Sequence, residues 1–211
     1  MPVVAFDALE WHSAPMPGGN GPVELARLPQ LDDQAFRAFV RFPAGWARPG
    51  AGHYAVPEEF LILDGDLSLN GTTWKTGGYA WIPAHYVRSG SSSVGGCLAF
   101  AWFGGLPRWL AGDAATPAID ALVHFAHWRA ASETGPGTHA LRAGPEHSTW
   151  IVEPAAAQPA ALPGDARESL CLQDNAWAWK DPADLAVNLP GTLLVRLRSA
   201  PGRPAYNSTN Q

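Results

Sequence analysis

Lysine is nearly missing from this chain. Its 211 residues contain 14 Lys+Arg, and only Lys75 and Lys180 are lysines. A formal net charge of −5 without a basic cluster excludes a phosphate-tracking surface, so no nucleic-acid partner is expected. Cysteine is equally scarce. Cys97 and Cys171 cannot form a disulfide framework for a chain this long, and both sit in apolar, strand-like runs. They read as buried, inert thiols. No apolar stretch approaches the ~18–20 residues a membrane span needs, and Met1–Glu10 lacks the basic-then-apolar pattern of a signal peptide. The expected setting is therefore cytoplasmic, with no membrane partner. The sequence also lacks a G-x-S-x-G elbow, a phosphate-binding G-x-x-x-x-G-K-[ST] loop and an H-E-x-x-H pair.

Turn formers and aromatics are plentiful. There are 22 Gly and 20 Pro, about a fifth of the chain, and ten Trp. So many breakers exclude a helical bundle, while 46 % hydrophobic residues supply ample core. Ala35–Phe42 alternates apolar with other residues and stops at Pro43-Ala44-Gly45. Glu59–Leu63 is closed by Asp64-Gly65, and Asn70-Gly71 separates two strand-like segments. Asn-Gly is the strongest short hairpin signal, because both central turn residues need positive φ. Gly77-Gly78 and Gly95-Gly96 precede further strands at Tyr79–Ile82 and Cys97–Phe103. Ser91-Ser92-Ser93 reads as a loop between them. Ala118–Ala131 is the one plausible helix, against a strand beginning a second unit. His124 and His127 there suit one helix face and would part company on a strand.

The chain also echoes itself. Val4–Trp11 resembles Pro117–His124, Phe39–Ala44 resembles Trp150–Ala155, Glu58–Asp64 resembles Glu168–Asp174, and Trp81–Pro83 resembles Asn188–Pro190. Four matches in one order, about 110 residues apart, argue for a duplication with deletions in the second copy. The expected division is 1–116 for the first copy, 117–198 for the degraded second, and 199–211 for a tail.

Residues 45–65 carry the chemistry. They read Gly45, five residues, Ala51-Gly52-His53, four residues, Glu58, six residues, Gly65. Gly77-Gly78-Tyr79-Ala80-Trp81-Ile82-Pro83 follows, with His85 and Arg88 beyond it. This series resembles the first and second motifs of the cupin superfamily, the RmlC-like jelly roll, and the run Gly95–Phe100 is similar to the strand after motif two in anti-sigma-factor-type cupin domains. Ala51 stands where the family's first histidine belongs, and Arg88 where its motif-two histidine belongs.

The resemblance implies an all-β, double-stranded β-helix (jelly roll), here a bicupin with a degraded second repeat. It also implies a site where histidines and a glutamate hold one divalent transition metal such as Fe, Mn, Ni or Zn. His53 and Glu58 keep two of those positions, and His85 is a third candidate if its loop turns inward. Two ligands rarely hold a divalent ion, so no cofactor is nearly as good an expectation. Glu58 and His53 then form a relic pair, and Arg88 either salt-bridges Glu58 or binds an anionic molecule. Tyr54, Tyr86 and Trp81, with Tyr79, are candidates to line a cavity, with core packing as their rival role. Glu59, next to Glu58, should face the other way and is expected at the surface or an interface. The second copy keeps Glu168 but no nearby histidine, so no metal centre is expected there.

The reading that follows is a small-molecule-binding cupin of unknown substrate with a degenerate metal site. Its rival is a metal-dependent cupin enzyme, dioxygenase- or isomerase-like, using His53, Glu58 and His85. The resemblance alone implies a homodimer.

Overall fold

The computed structural model describes residues 3–31, 34–115, 123–125, 138–144, 147–152, 166–172, 175, 177–179 and 193–198. Its strands begin with β1 (Val3–Val4), β2 (His12–Ala14), β3 (Val23–Arg27), β4 (Phe36–Phe42), β5 (Trp46–Arg48) and β6 (Gly52–Tyr54). Next come β7 (Glu58–Leu69), β8 (Thr72–Lys75), β9 (Tyr79–Ile82), β10 (Ser91–Ser93), β11 (Cys97–Phe103) and β12 (Trp109–Ala111). The last six are β13 (Val123–Phe125), β14 (Thr138–Ala143), β15 (His147–Val152), β16 (Ala166–Cys171), β17 (Trp177–Trp179) and β18 (Leu193–Arg198). Among the described residues no helix is long and apolar enough to cross a membrane. The tail 199–211, His127 and most of 117–137 lie outside the described residues.

The chain divides into two compact units, Glu10–His127 and Met1–Leu9 with Trp128–Gln211. In the first unit a curled antiparallel sheet runs β13-β9-β7-β11-β4-β3-β2, with β8 and β10 on β7 and β5 on β10. A two-stranded ribbon, β12-β6, accompanies it. The second unit is a six-stranded sheet, β1-β17-β16-β18-β15-β14. Val123–Phe125 pairs with Tyr79–Trp81 and so extends the first unit's sheet as a strand, where a helix had been the alternative. In the second unit Glu168 is buried and accepts a hydrogen bond from Nε1 of Trp177 at 3.1 Å.

The hairpin signal is realised directly. Leu69 pairs with Thr72 around Asn70 (φ 49°) and Gly71 (φ 78°), the two positive values such a turn requires. The serine run departs from its expected loop. Ser91–Ser93 is a buried strand paired with Trp46–Arg48, and the Ser93 hydroxyl donates to the Asp66 carbonyl at 2.7 Å. Serine favours turns, but its small side chain suits a crowded barrel corner once the hydroxyl finds a carbonyl. Glu59 is buried as well, in register with Trp81 on one side and Trp102 on the other, so it is not a surface residue.

Gly65 has φ 76°, and a Cβ there would run into the carbonyl oxygen of Gly96. It lies beside the register shift between β7 and β11 at Leu98/Ala99. Left-handed strain costs about 1–3 kcal/mol, and a backbone clash adds to it. Gly65→Ala should therefore lower the urea midpoint by the equivalent of about 2 kcal/mol or more; an unchanged midpoint would contradict this packing.

Both cysteines are buried and free. Burial, with help from Asp66 and then Asp64, raises the Cys97 thiol from 9.0 to about 12. Its proton is held more tightly folded than unfolded, so this contribution is intact below pH 9 and is lost between pH 9 and about 12. In that window stability should fall by up to ~1.4 kcal/mol per pH unit. Urea melts of Cys97→Ala should show a shallower alkaline decline than the parent; parallel declines would contradict it.

Candidate functional site

The inward face of the first unit is hollow because its central strands carry small residues there. Ala99 and Ala101 of β11 and Val40 of β4 leave space that aromatic side chains only partly fill. The result is a cavity of about 190 Å³ inside the barrel. Phe60, Leu69, Phe103, Trp46 and Trp109 supply much of its apolar wall. Pro15 and Pro17 are exposed and Pro107 and Trp109 half-buried, so this rim meets solvent.

Three charged side chains line the cavity: Arg48, Glu58 and Arg88. Nη1 of Arg88 donates to Oε2 of Glu58 in a buried ion pair. The arginine's backbone is pinned beside β6, its N–H donating to the Gly52 carbonyl at 2.7 Å while the Gly52 N–H donates back at 2.9 Å. Asn70 holds the flanking residues. Its Nδ2 donates to the Val87 carbonyl at 3.0 Å, and its Oδ1 accepts from the Ser89 N–H at 2.6 Å. The hairpin turn therefore doubles as the clamp that aims Arg88. A strict Asn-Gly reading finds the turn but not this second use, because the partner segment is distant in sequence.

Tyr54 links the two cations. The Arg88 guanidinium lies 4.6 Å from its ring centroid, and Arg48 Nη1 reaches its hydroxyl at 3.5 Å. Phe103 and Trp109 meet the same ring edge-on, each at 5.2 Å. Arg48 also stacks over Trp109 at 3.6 Å. Arg48 is the site residue that motif spacing misses. The alternation Trp46-Ala47-Arg48 is the signal for it, since β5 buries Trp46 and Arg48 together.

The sequence candidates thus fall into two groups. Glu58, Arg88 and Tyr54 come together on the cavity wall, while Trp81 and Tyr86 are not among its lining residues. His53 belongs elsewhere. Gly52 and Tyr54 share the cavity face of β6, a Cβ on Gly52 would strike the Trp109 indole, and His53 faces the other way. His53 is buried with its Nδ1 unpartnered, and its ring lies 5.6 Å from that of His85. His85 holds φ 64°, and its N–H donates to the Tyr54 carbonyl at 2.7 Å.

A divalent metal does not fit this donor set. The Glu58 carboxylate is engaged by a guanidinium that cannot lose its charge, and neither His53 nor His85 is among the side chains lining the cavity where Glu58 lies. Among the described residues no three His, Cys, Asp or Glu side chains are grouped to hold a metal ion.

No family model matches the chain, and no curated protein matches it in sequence. Solved structures do match its shape. A "putative dioxygenase" from Nostoc punctiforme PCC 73102 aligns with TM-score 0.64 and 16 % identity, over 93 % of this chain and 78 % of that one. The protein YlbA from E. coli aligns with TM-score 0.59 and 13 % identity, over 93 % and 90 %. A cupin 2 conserved barrel domain protein from Leptotrichia buccalis aligns with TM-score 0.50 and 13 % identity, over 94 % and 96 %. Identities this low establish the fold and nothing finer: the chain has the cupin jelly roll.

Proposed function

We propose that the protein binds a small organic molecule inside its first barrel, at a cupin site where an arginine–glutamate pair has taken the place of a metal centre. The observation that carries this reading is the Arg88–Glu58 pair on the wall of an otherwise apolar, aromatic cavity. Ligand sites are typically apolar hollows with a few placed polar groups. Two compact units support reading the chain as two cupin copies, 1–116 and 117–198, with strands at the ends of each range joining the other unit's sheet. A cytoplasmic homodimer completes the proposal, and light scattering tests its stoichiometry.

The second reading is a metal-dependent enzyme, dioxygenase- or isomerase-like, using His53, Glu58 and His85; it requires Glu58 to be released from Arg88, because the donor set as paired does not fit a metal. The unpartnered Nδ1 of buried His53 near His85 is what favours it.

Titration calorimetry with a panel of single-ring aromatic acids, amides and amines tests the binding reading. At least one member should bind, and Ala101→Phe, which fills the hollow, should abolish that binding while circular dichroism is unchanged. Ala99→Leu repeats the test should Ala101→Phe not fold. A panel without any binder would overturn the proposal.

A further inference from the structure

We infer that the ligand of this cavity is a compact organic monocarboxylate with one flat apolar ring, held side-on by Arg88; the inference rests on the proposed binding role. Charge is the first ground. Two arginines and one glutamate line the wall, leaving one positive charge in excess within an apolar surround. Such a charge calls for a single negative partner. A dianion would overshoot and an ammonium would add to the excess.

Donor geometry is the second ground. Arg88 spends Nη1 on Glu58, while its Nε and Nη2 are buried and have no hydrogen-bond partner. Those two nitrogens form one edge of the guanidinium and project parallel N–H bonds. Their spacing matches the two oxygens of a carboxylate. Arg48 Nε and the Ser91 hydroxyl are also buried without partners, and both residues line the same cavity. Unspent donors therefore sit on three side chains that line the cavity.

Shape is the third. Tyr54, Phe60, Phe103 and Trp109 offer ring faces and edges around the hollow. An apolar cavity of about 150 Å³ accommodates benzene. The 190 Å³ here suits one ring with a carboxylate attached.

Titration calorimetry on the full chain with benzoate, benzamide and benzylamine tests the assignment. Benzoate should bind at least tenfold more tightly than benzamide, and benzylamine should not bind. Arg88→Lys keeps the charge but loses the fork, so it should weaken benzoate at least tenfold and shrink its margin over benzamide. Arg48→Met, expected to weaken benzoate at least fivefold, carries the same test should Arg88→Lys not fold. Equal affinity for benzoate and benzamide would overturn the carboxylate assignment alone and leave the binding role standing. Failure of all three, together with the whole aromatic panel, would overturn both.

Discussion

Glu58→Leu should cost the first barrel about 3–5 kcal/mol, because it strands a guanidinium inside the protein. Arg88 is 4 % exposed and its charge is permanent, so removing Glu58 leaves no route to neutrality. Arg88→Leu should cost less, since a carboxyl group can be neutralised by a proton whereas a guanidinium cannot. The double variant Glu58→Leu/Arg88→Leu should recover to within about 1 kcal/mol of the parent, because neither charge is then buried alone. Urea unfolding followed by circular dichroism reads all three. The double variant should also have lost benzoate binding, which separates the pair's role in stability from its role in recognition. Additive losses in the double variant would show that the two side chains do not act as a pair.

Trp74→Ala should be comparably damaging, at about 3–5 kcal/mol. The indole is 1 % exposed, packs edge-on against Phe60 at 5.3 Å, and donates from Nε1 to the Tyr79 carbonyl at 3.2 Å. Truncation removes a large buried ring and leaves that carbonyl without its donor. Trp74→Phe keeps most of the volume and forfeits the hydrogen bond, so about 1–2 kcal/mol is expected. Phe60 is part of the cavity wall, so Trp74→Ala should also weaken any ligand held there. A stability loss below about 1 kcal/mol would contradict this packing.

Both predictions concern residues whose surroundings were only partly legible in the sequence. The jelly roll was readable because its turns are chemically marked: Asn70-Gly71 fixes a hairpin, and Gly65 fills a place where no side chain fits. Glu58 and Arg88 were readable as neighbours only through the cupin resemblance, which left a salt bridge and an anion site open for Arg88. The direction of His53 was not. β6 is only three residues long and is followed by a turn reaching Pro57, so spacing along the chain does not report which face a side chain takes. Ser91–Ser93 was misleading for a different reason. Serine runs usually mark loops, and the carbonyl that satisfies Ser93 belongs to Asp66, far back in the chain. Arg48 was not legible, because an isolated arginine usually lies at the surface. Only the strand pleat, the Trp109 stack and the Tyr54 contact bring it inside.

In the proposed site a buried ion pair, and not a metal, organises the first barrel's interior. Elemental analysis of the untagged protein, purified without chelators, tests it most directly. No transition metal near one equivalent per chain is expected, in the parent or in His53→Ala. One equivalent in the parent that disappears in His53→Ala would contradict it and establish the metal-dependent reading.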